Sequence, residues 1–194
     1  MPEFVMEGRD HAARAESDFV LGFIEAMFFT ECSPAFDSSE WFTDERRAAT
    51  EEGTADGELP GDVGYTDLHP DSLAAIRADC ESWQAENAAL LALAYATGYD
   101  ETQAGHDYWF TRNGHGIGFW DRDKLAVDVW SEESGFVDDW PGPLAYSLTY
   151  GAPHSTLAGT LGDMLTDACR YREVHVFFGD HVTHGDAPFV HVDL

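Results

Sequence analysis

Six of the nine histidines, His106, His115, His175, His181, His184 and His191, cluster in the carboxy-terminal half of this 194-residue sequence, with Asp107, Asp121, Asp180 and Asp186 close by. Imidazole and carboxylate are the ligands of zinc and other transition metals, so a histidine/carboxylate metal-dependent enzyme is one reading of this half. The spacing argues against it. His181 and His184 have no third ligand at a recognised interval, HExxH does not occur, and on a strand His106 and Asp107 would point to opposite faces. Asp121-Arg122-Asp123 opens like a calcium loop but lacks the acid and glycine pattern that should follow. No GxSxG elbow, phosphate-binding glycine loop or GxGxxG is present. Cys80 sits among apolar residues at helical spacing, which suits a core thiol better than a nucleophile. No catalytic residue, metal ligand or cofactor is assigned.

The second chemistry is charge. Against 37 Asp and Glu stand 10 Lys and Arg, for a formal net charge of −27. Between Glu31 and Glu86 there are fifteen acids and three arginines, Arg46, Arg47 and Arg77, a local balance of −12. Duplex DNA carries about one charge per 1.7 Å of axis, and carboxylates three or four residues apart on a helix lie about 5–6 Å from each other. Rows of them approximate a strand of phosphates and suit the basic groove of a nucleic-acid-binding protein. The acids whose setting predicts exposure are Glu51, Glu52, Asp71, Asp79 and Glu86, and these are the candidate partner-binding residues. The same charge argues against direct binding to nucleic acid or to an anionic membrane surface. Solvated helix faces, or adaptation to high salt, would also produce many acids with a single lysine, Lys124.

These groups need a fold to hold them, and 44% hydrophobic with 13% aromatic residues is enough for a sizeable core. Val20, Phe23, Ile24, Met27 and Phe28 recur at helical spacing between about Arg9 and Glu31. Residues 32–69 read as a long acidic connection with a short helix around Asp44 to Glu52. Pro70 and Asp71 start a helix whose apolar face runs through Leu73, Ile76, Cys80, Trp83, Asn87, Leu90, Leu91 and Ala94 to a stop at Gly98. Asp71, Asp79, Glu81 and Glu86 project away from that face. Tyr108 to Thr111 and Ile117 to Trp120 flank Asn113-Gly114, the short-range signal of a β-hairpin. On that hairpin Trp109 and Trp120 would pack the sheet, and Arg112 would pair with Asp107 or Asp121. Leu157 to Tyr171 reads as a helix, and Val174 to Phe178 and Phe189 to Val192 as strands. The expectation is one α+β domain over 1–194, with amphipathic helices on one face of an antiparallel sheet and an aromatic-rich insert at 123–157.

Gly105 to Arg122, GHDYWFTRNGHGIGFWDR, resembles the motif GHDFWLTRNGHGAGFWDR of a family of small acidic proteins carried by bacteriophages and other mobile elements. The departures, at Tyr108, Phe110 and Ile117, are apolar exchanges. The likeness extends upstream to HPDSLAAIRADCESW at His69 and downstream to LGDMLTDACRYREVHVFFGD, ending at Asp180, with the insert between Arg122 and Leu161 foreign to it. The resemblance implies a mobile-element origin and no catalytic residue.

Together these features point to a phage or mobile-element protein that acts by binding, as an acidic DNA mimic against a basic nucleic-acid-binding or defence protein of the host. The insert offers an interaction module of another kind, since Trp130, Phe136, Trp140, Tyr146 and Tyr150 are the residue types of binding hot spots, or could be buried by homodimerisation. No apolar run approaches the ~18–20 residues of a membrane span. The odd, scattered cysteines suit reduced thiols, and the expected location is the cytoplasm.

Overall fold

Helix α1 (Asp18–Glu31) follows a 3-10 turn over Arg9–Ala15 and begins at Ser17, whose hydroxyl accepts from the Val20 amide. It buries Phe19, Val20, Phe23, Ile24, Met27 and Phe28, a face too wide for one neighbour to cover. The computed structural model describes residues 9–54, 57–127, 160–169, 173–180 and 188–194. Helix α2 (Asp44–Glu51) is capped by Thr43 and buries no residue at all.

Helix α3 (Pro70–Glu86) starts after His69, whose Nδ1 accepts from the Asp71 amide at 3.2 Å. The expected single helix to Gly98 is two. At Asn87 the backbone leaves helical geometry (φ −112°, ψ 18°), its side chain bonds back to the Trp83 carbonyl at 2.9 Å, and α4 (Ala88–Ala96) begins anew. The apolar face continues across the break, so periodicity alone does not reveal it. Gly98, at φ +81°, ends α4 as expected.

Residues expected to form the first arm of a β-hairpin are helical. Helix α5 (Glu101–Arg112) is capped by Asp100, which accepts from the Gln103 amide at 2.8 Å. Tyr108, Trp109, Phe110, Thr111 and Arg112 are consecutive and all buried, so this turn is covered on every side. Aromatic richness marks that burial rather than a strand. Asn113-Gly114 closes the helix instead of a hairpin, with Asn113 as C-cap and Gly114 at φ +67°; both structures draw on the same positive-φ tolerance. Ile117 is exposed, and Phe119–Asp121 is a 3-10 turn followed by another over Asp123–Leu125.

Helices α1 and α5 form the tightest crossing. A Cβ at Gly105 would lie 2.0 Å from the Phe19 carbonyl oxygen, and one at Gly22 would lie 2.1 Å from that of Thr102. Around this contact Phe23 meets Trp109 edge-on at 5.2 Å, and Trp83 stacks on Tyr108 at 4.4 Å and on Phe119 at 5.6 Å.

Helix α6 (Leu161–Ala168) opens with a reciprocal cap between Thr160 and Asp163. Strands β1 (Cys32–Ser33) and β2 (Leu59–Pro60) make a short parallel pair. Strands β3 (His175–Asp180) and β4 (Pro188–Asp193) are antiparallel, with Phe177 opposite His191 and Phe178 opposite Val190. Leu68 bridges Val190 on the other edge of β4, and the Val192 amide donates to Ser72 Oγ of α3 at 3.0 Å. The class is therefore α+β with an antiparallel hairpin, formed by residues 175–193 and not by 108–120. Of the insert expected at 123–157, residues 128–157 lie outside the described residues.

Candidate functional site

The polar residues of α5 and the turns after it are held by one another and by neighbouring helices. Asp107 is fully buried and meets Arg122 in two parallel bonds, Nε to Oδ2 at 2.7 Å and Nη2 to Oδ1. The Tyr99 hydroxyl donates to Oδ2 and Gln103 Nε2 to Oδ1, so the carboxylate is saturated. Burial, with Asp107 alongside, pushes the Tyr99 phenol well above its ordinary pKa. Arg112, 4% exposed, pairs with Asp79 of α3, and both bond the Tyr108 hydroxyl. Arg112 is thus joined neither to Asp107 nor to Asp121. Trp109 is wholly buried in the helical core, its indole N–H donating to Thr30 at 2.8 Å, whereas Trp120 is 53% exposed and packs no sheet. Asn113 Oδ1 accepts from the Val174 amide at 2.8 Å, joining the end of α5 to the approach to β3.

The histidines are dispersed. His106 Nε2 lies 3.0 Å from Glu25, and His115 Nε2 lies 3.7 Å from Glu31. His191 stacks between His69 at 5.1 Å and Phe177 at 4.9 Å. Among the described residues no three His, Cys, Asp or Glu side chains are grouped to hold a metal ion; His181 and His184 are outside them. His106 and Asp107 are neighbours on a helix, one half-buried toward α1 and the other fully buried. The three cysteines are free thiols. Burial pushes Cys80 and Cys169 far up and Cys32 up to about 12, the reverse of what a thiolate nucleophile needs.

Of the five candidate acids, Glu51, Glu52, Asp71 and Glu86 are exposed. Asp79 is not free to meet a partner, because its side chain is only 29% exposed and is engaged by Arg112 and Tyr108. Its position on the polar side of α3 was readable; the arginine brought to it by α5 was not. The four others lie on two helices, Glu51 and Glu52 at the end of α2 and Asp71 and Glu86 at opposite ends of α3.

Two concavities border these helices. One, of about 240 Å³, is lined by Asp79, Glu86, Tyr108, Arg112 and Cys169 among others. The second, of about 390 Å³, is an open groove between α2 and β3, lined by Trp41, Phe42, Arg46, Glu58, Phe177 and Phe178. Sequence reasoning passed over this groove. Its only signal was the pair Trp41-Phe42 next to a short helix in an otherwise polar stretch. No family model matches the chain, and no curated protein or solved structure matches it either.

Proposed function

We propose that the protein acts by binding, presenting exposed carboxylates as a mimic of the nucleic-acid backbone to a basic host protein of the restriction, CRISPR, nuclease or other nucleic-acid-binding type. The observation that carries this reading is the way the cations are used. Arg112 and Arg122 are turned inward to Asp79 and Asp107, and Arg77, at the surface, is bound to Glu16. Among the described residues Glu51, Glu52 and Glu81 have no ion pair, and the Asp71 carboxylate has only the His69 ring 3.8 Å away. These pairs neutralise three of the ten cations, while Glu51, Glu52, Asp71 and Glu86 stay exposed. Helix α2, which buries none of its residues, is what a presenting element needs. Such a surface attracts a basic partner at long range and weakens steeply with salt. The resemblance of Gly105 to Arg122 to a mobile-element family supports a host protein as target and the host cytoplasm as the place of action.

The test is capture from a host lysate, washed at low and then high salt, with the wild type beside a variant reversing Glu51, Glu52, Asp71 and Glu86 to lysine. Recovery of a nucleic-acid-binding protein that elutes with salt and is lost with the variant is the expected result. Equal capture by the variant would sink the mimic reading.

A further inference from the structure

We infer that Asn113 is a site of covalent self-modification: when the approach to β3 lifts from the end of α5, the Gly114 amide nitrogen closes on the Asn113 carboxamide, and the product keeps β3 from returning to its place. The chain has two asparagines, Asn87 and Asn113, and only Asn113 precedes a glycine. Succinimide formation needs the next residue's amide nitrogen to reach the side-chain carbonyl carbon, and a glycine, having no Cβ, leaves that nitrogen unshielded. Here the nucleophile is free. Gly114 is exposed, at φ +67°, with nothing within 4 Å of where a Cβ would stand. The His115 amide donates to the Phe110 carbonyl at 3.1 Å, one bond of a glycine-closed helix end. The Gly114 amide itself has no hydrogen bond among the described residues.

The electrophile is held. Asn113 Nδ2 donates to the Trp109 carbonyl at 3.1 Å, and Oδ1 accepts from the Val174 amide at 2.8 Å. At ψ 5° the Gly114 nitrogen also stands well away from eclipsing Cβ about the Cα–C bond, the arrangement the five-membered ring demands. Closure therefore waits for a local opening that releases both bonds. In the opened segment the Gly114 nitrogen bonds to Asn113 Cγ and the Cγ–Nδ2 bond breaks, Nδ2 leaving as ammonia with the proton that the nitrogen gives up. Water then opens the ring, at Cγ to give aspartate or at the main-chain carbonyl to give an isoaspartyl link running through Cβ and Cγ. The net change is one water taken up for one ammonia lost. Either product lacks the Nδ2 donor and carries a carboxylate at the negative end of α5, where it turns away from the Trp109 carbonyl and leaves the Val174 amide without its fixed acceptor. The isoaspartyl link also lengthens the main chain under the His115–Phe110 bond. Opening is reversible and hydrolysis is not, so the site records excursions of the segment that leads into β3. This inference uses none of the residues of the mimic reading and does not rest on it.

The test ages the full chain beside a short peptide spanning Thr111 to Gly116, at one pH and temperature, and follows both asparagines by peptide mapping with mass spectrometry. In the folded chain Asn113 should convert about tenfold to hundredfold more slowly than in the peptide, because two hydrogen bonds must open first. Asn87, buried and followed by alanine, should not convert. Urea that unfolds the chain should bring Asn113 to the peptide's rate. The converted chain, separated by its extra negative charge on an ion-exchange column, should exchange its Val174 amide at least about tenfold faster while the amides of α1 keep their protection. Conversion in the folded chain as fast as in the peptide would overturn the proposal. So would no conversion there while the peptide goes to completion, or a converted chain whose Val174 amide stays protected.

Discussion

Replacing Arg122 by alanine leaves the Asp107 carboxylate without its cation at a site with no exposure to water. Tyr99 and Gln103 still donate to it, but neither carries charge. Breaking a buried pair from one side costs about 3–5 kcal/mol, a large part of the 5–15 kcal/mol that holds a typical domain together. For a chain of this length that is a fall in melting temperature of about 6–20 °C at pH 7. The converse change, Asp107→Asn, should cost less, about 1–3 kcal/mol, because the Arg122 side chain is 20% exposed and can turn to water. The double variant supplies the decisive arm: with both charges removed no unpaired carboxylate is left buried, so it should be more stable than Arg122→Ala alone. Denaturant melts of wild type, both single variants and the double variant at pH 7 measure all of this. Melting of Arg122→Ala within a degree or two of wild type, or a double variant no more stable than Arg122→Ala, would refute the reasoning.

Three further outcomes are expected. Gly105→Ala puts a methyl 2.0 Å from the Phe19 carbonyl and forces α1 and α5 apart, so it should lose about 3 kcal/mol by urea melting. Burial raises the Glu31 pKa ahead of the opposing effects of Thr30 and His115; the fold thus prefers the protonated acid, and Glu31→Gln should stabilise above that raised pKa, with the gain vanishing as pH falls below the unfolded value of about 4.3. In about 10 mM salt, where the Debye length is about 30 Å, the isolated protein should stay folded, and a thermal scan showing it unfolded there would identify the acids as an adaptation to high salt.

Helix ends were the most legible part of the sequence. Pro70 and Gly98 mark boundaries through backbone constraints that act within a few residues, and the structure places helix ends at both. The stretch 108–120 was misread because its cues are shared: Asn-Gly serves a helix C-terminus as well as a hairpin, and the run Tyr108 to Thr111 looks like a strand when the helix that carries it is enclosed. Asp107 and Arg122 are fifteen positions apart, and Asp79 and Arg112 thirty-three, so nothing local announces either pair. The exposure of Asp71 and Glu86 followed from helical phase, and that of Glu51 and Glu52 from their polar, acidic setting. That of Asp79 failed because phase says which way a side chain points and not what another element brings to meet it.

The junction of α3 with β4 carries a consequence for the order of assembly. The bond from Ser72 to the Val192 amide spans 120 positions, and the His69 amide at the helix start depends on Val190. On the ribosome, α3 emerges long before residues 188–193 and must wait with its first turn unanchored. The α1–α5 crossing, closed by Gly22 and Gly105, is complete well before then and offers a surface on which the nascent helix can rest. The hairpin of β3 and β4 then docks last, and a chain released without it retains the helical core while the His69 amide exchanges freely and the Ser72 hydroxyl has no Val192 amide to accept from.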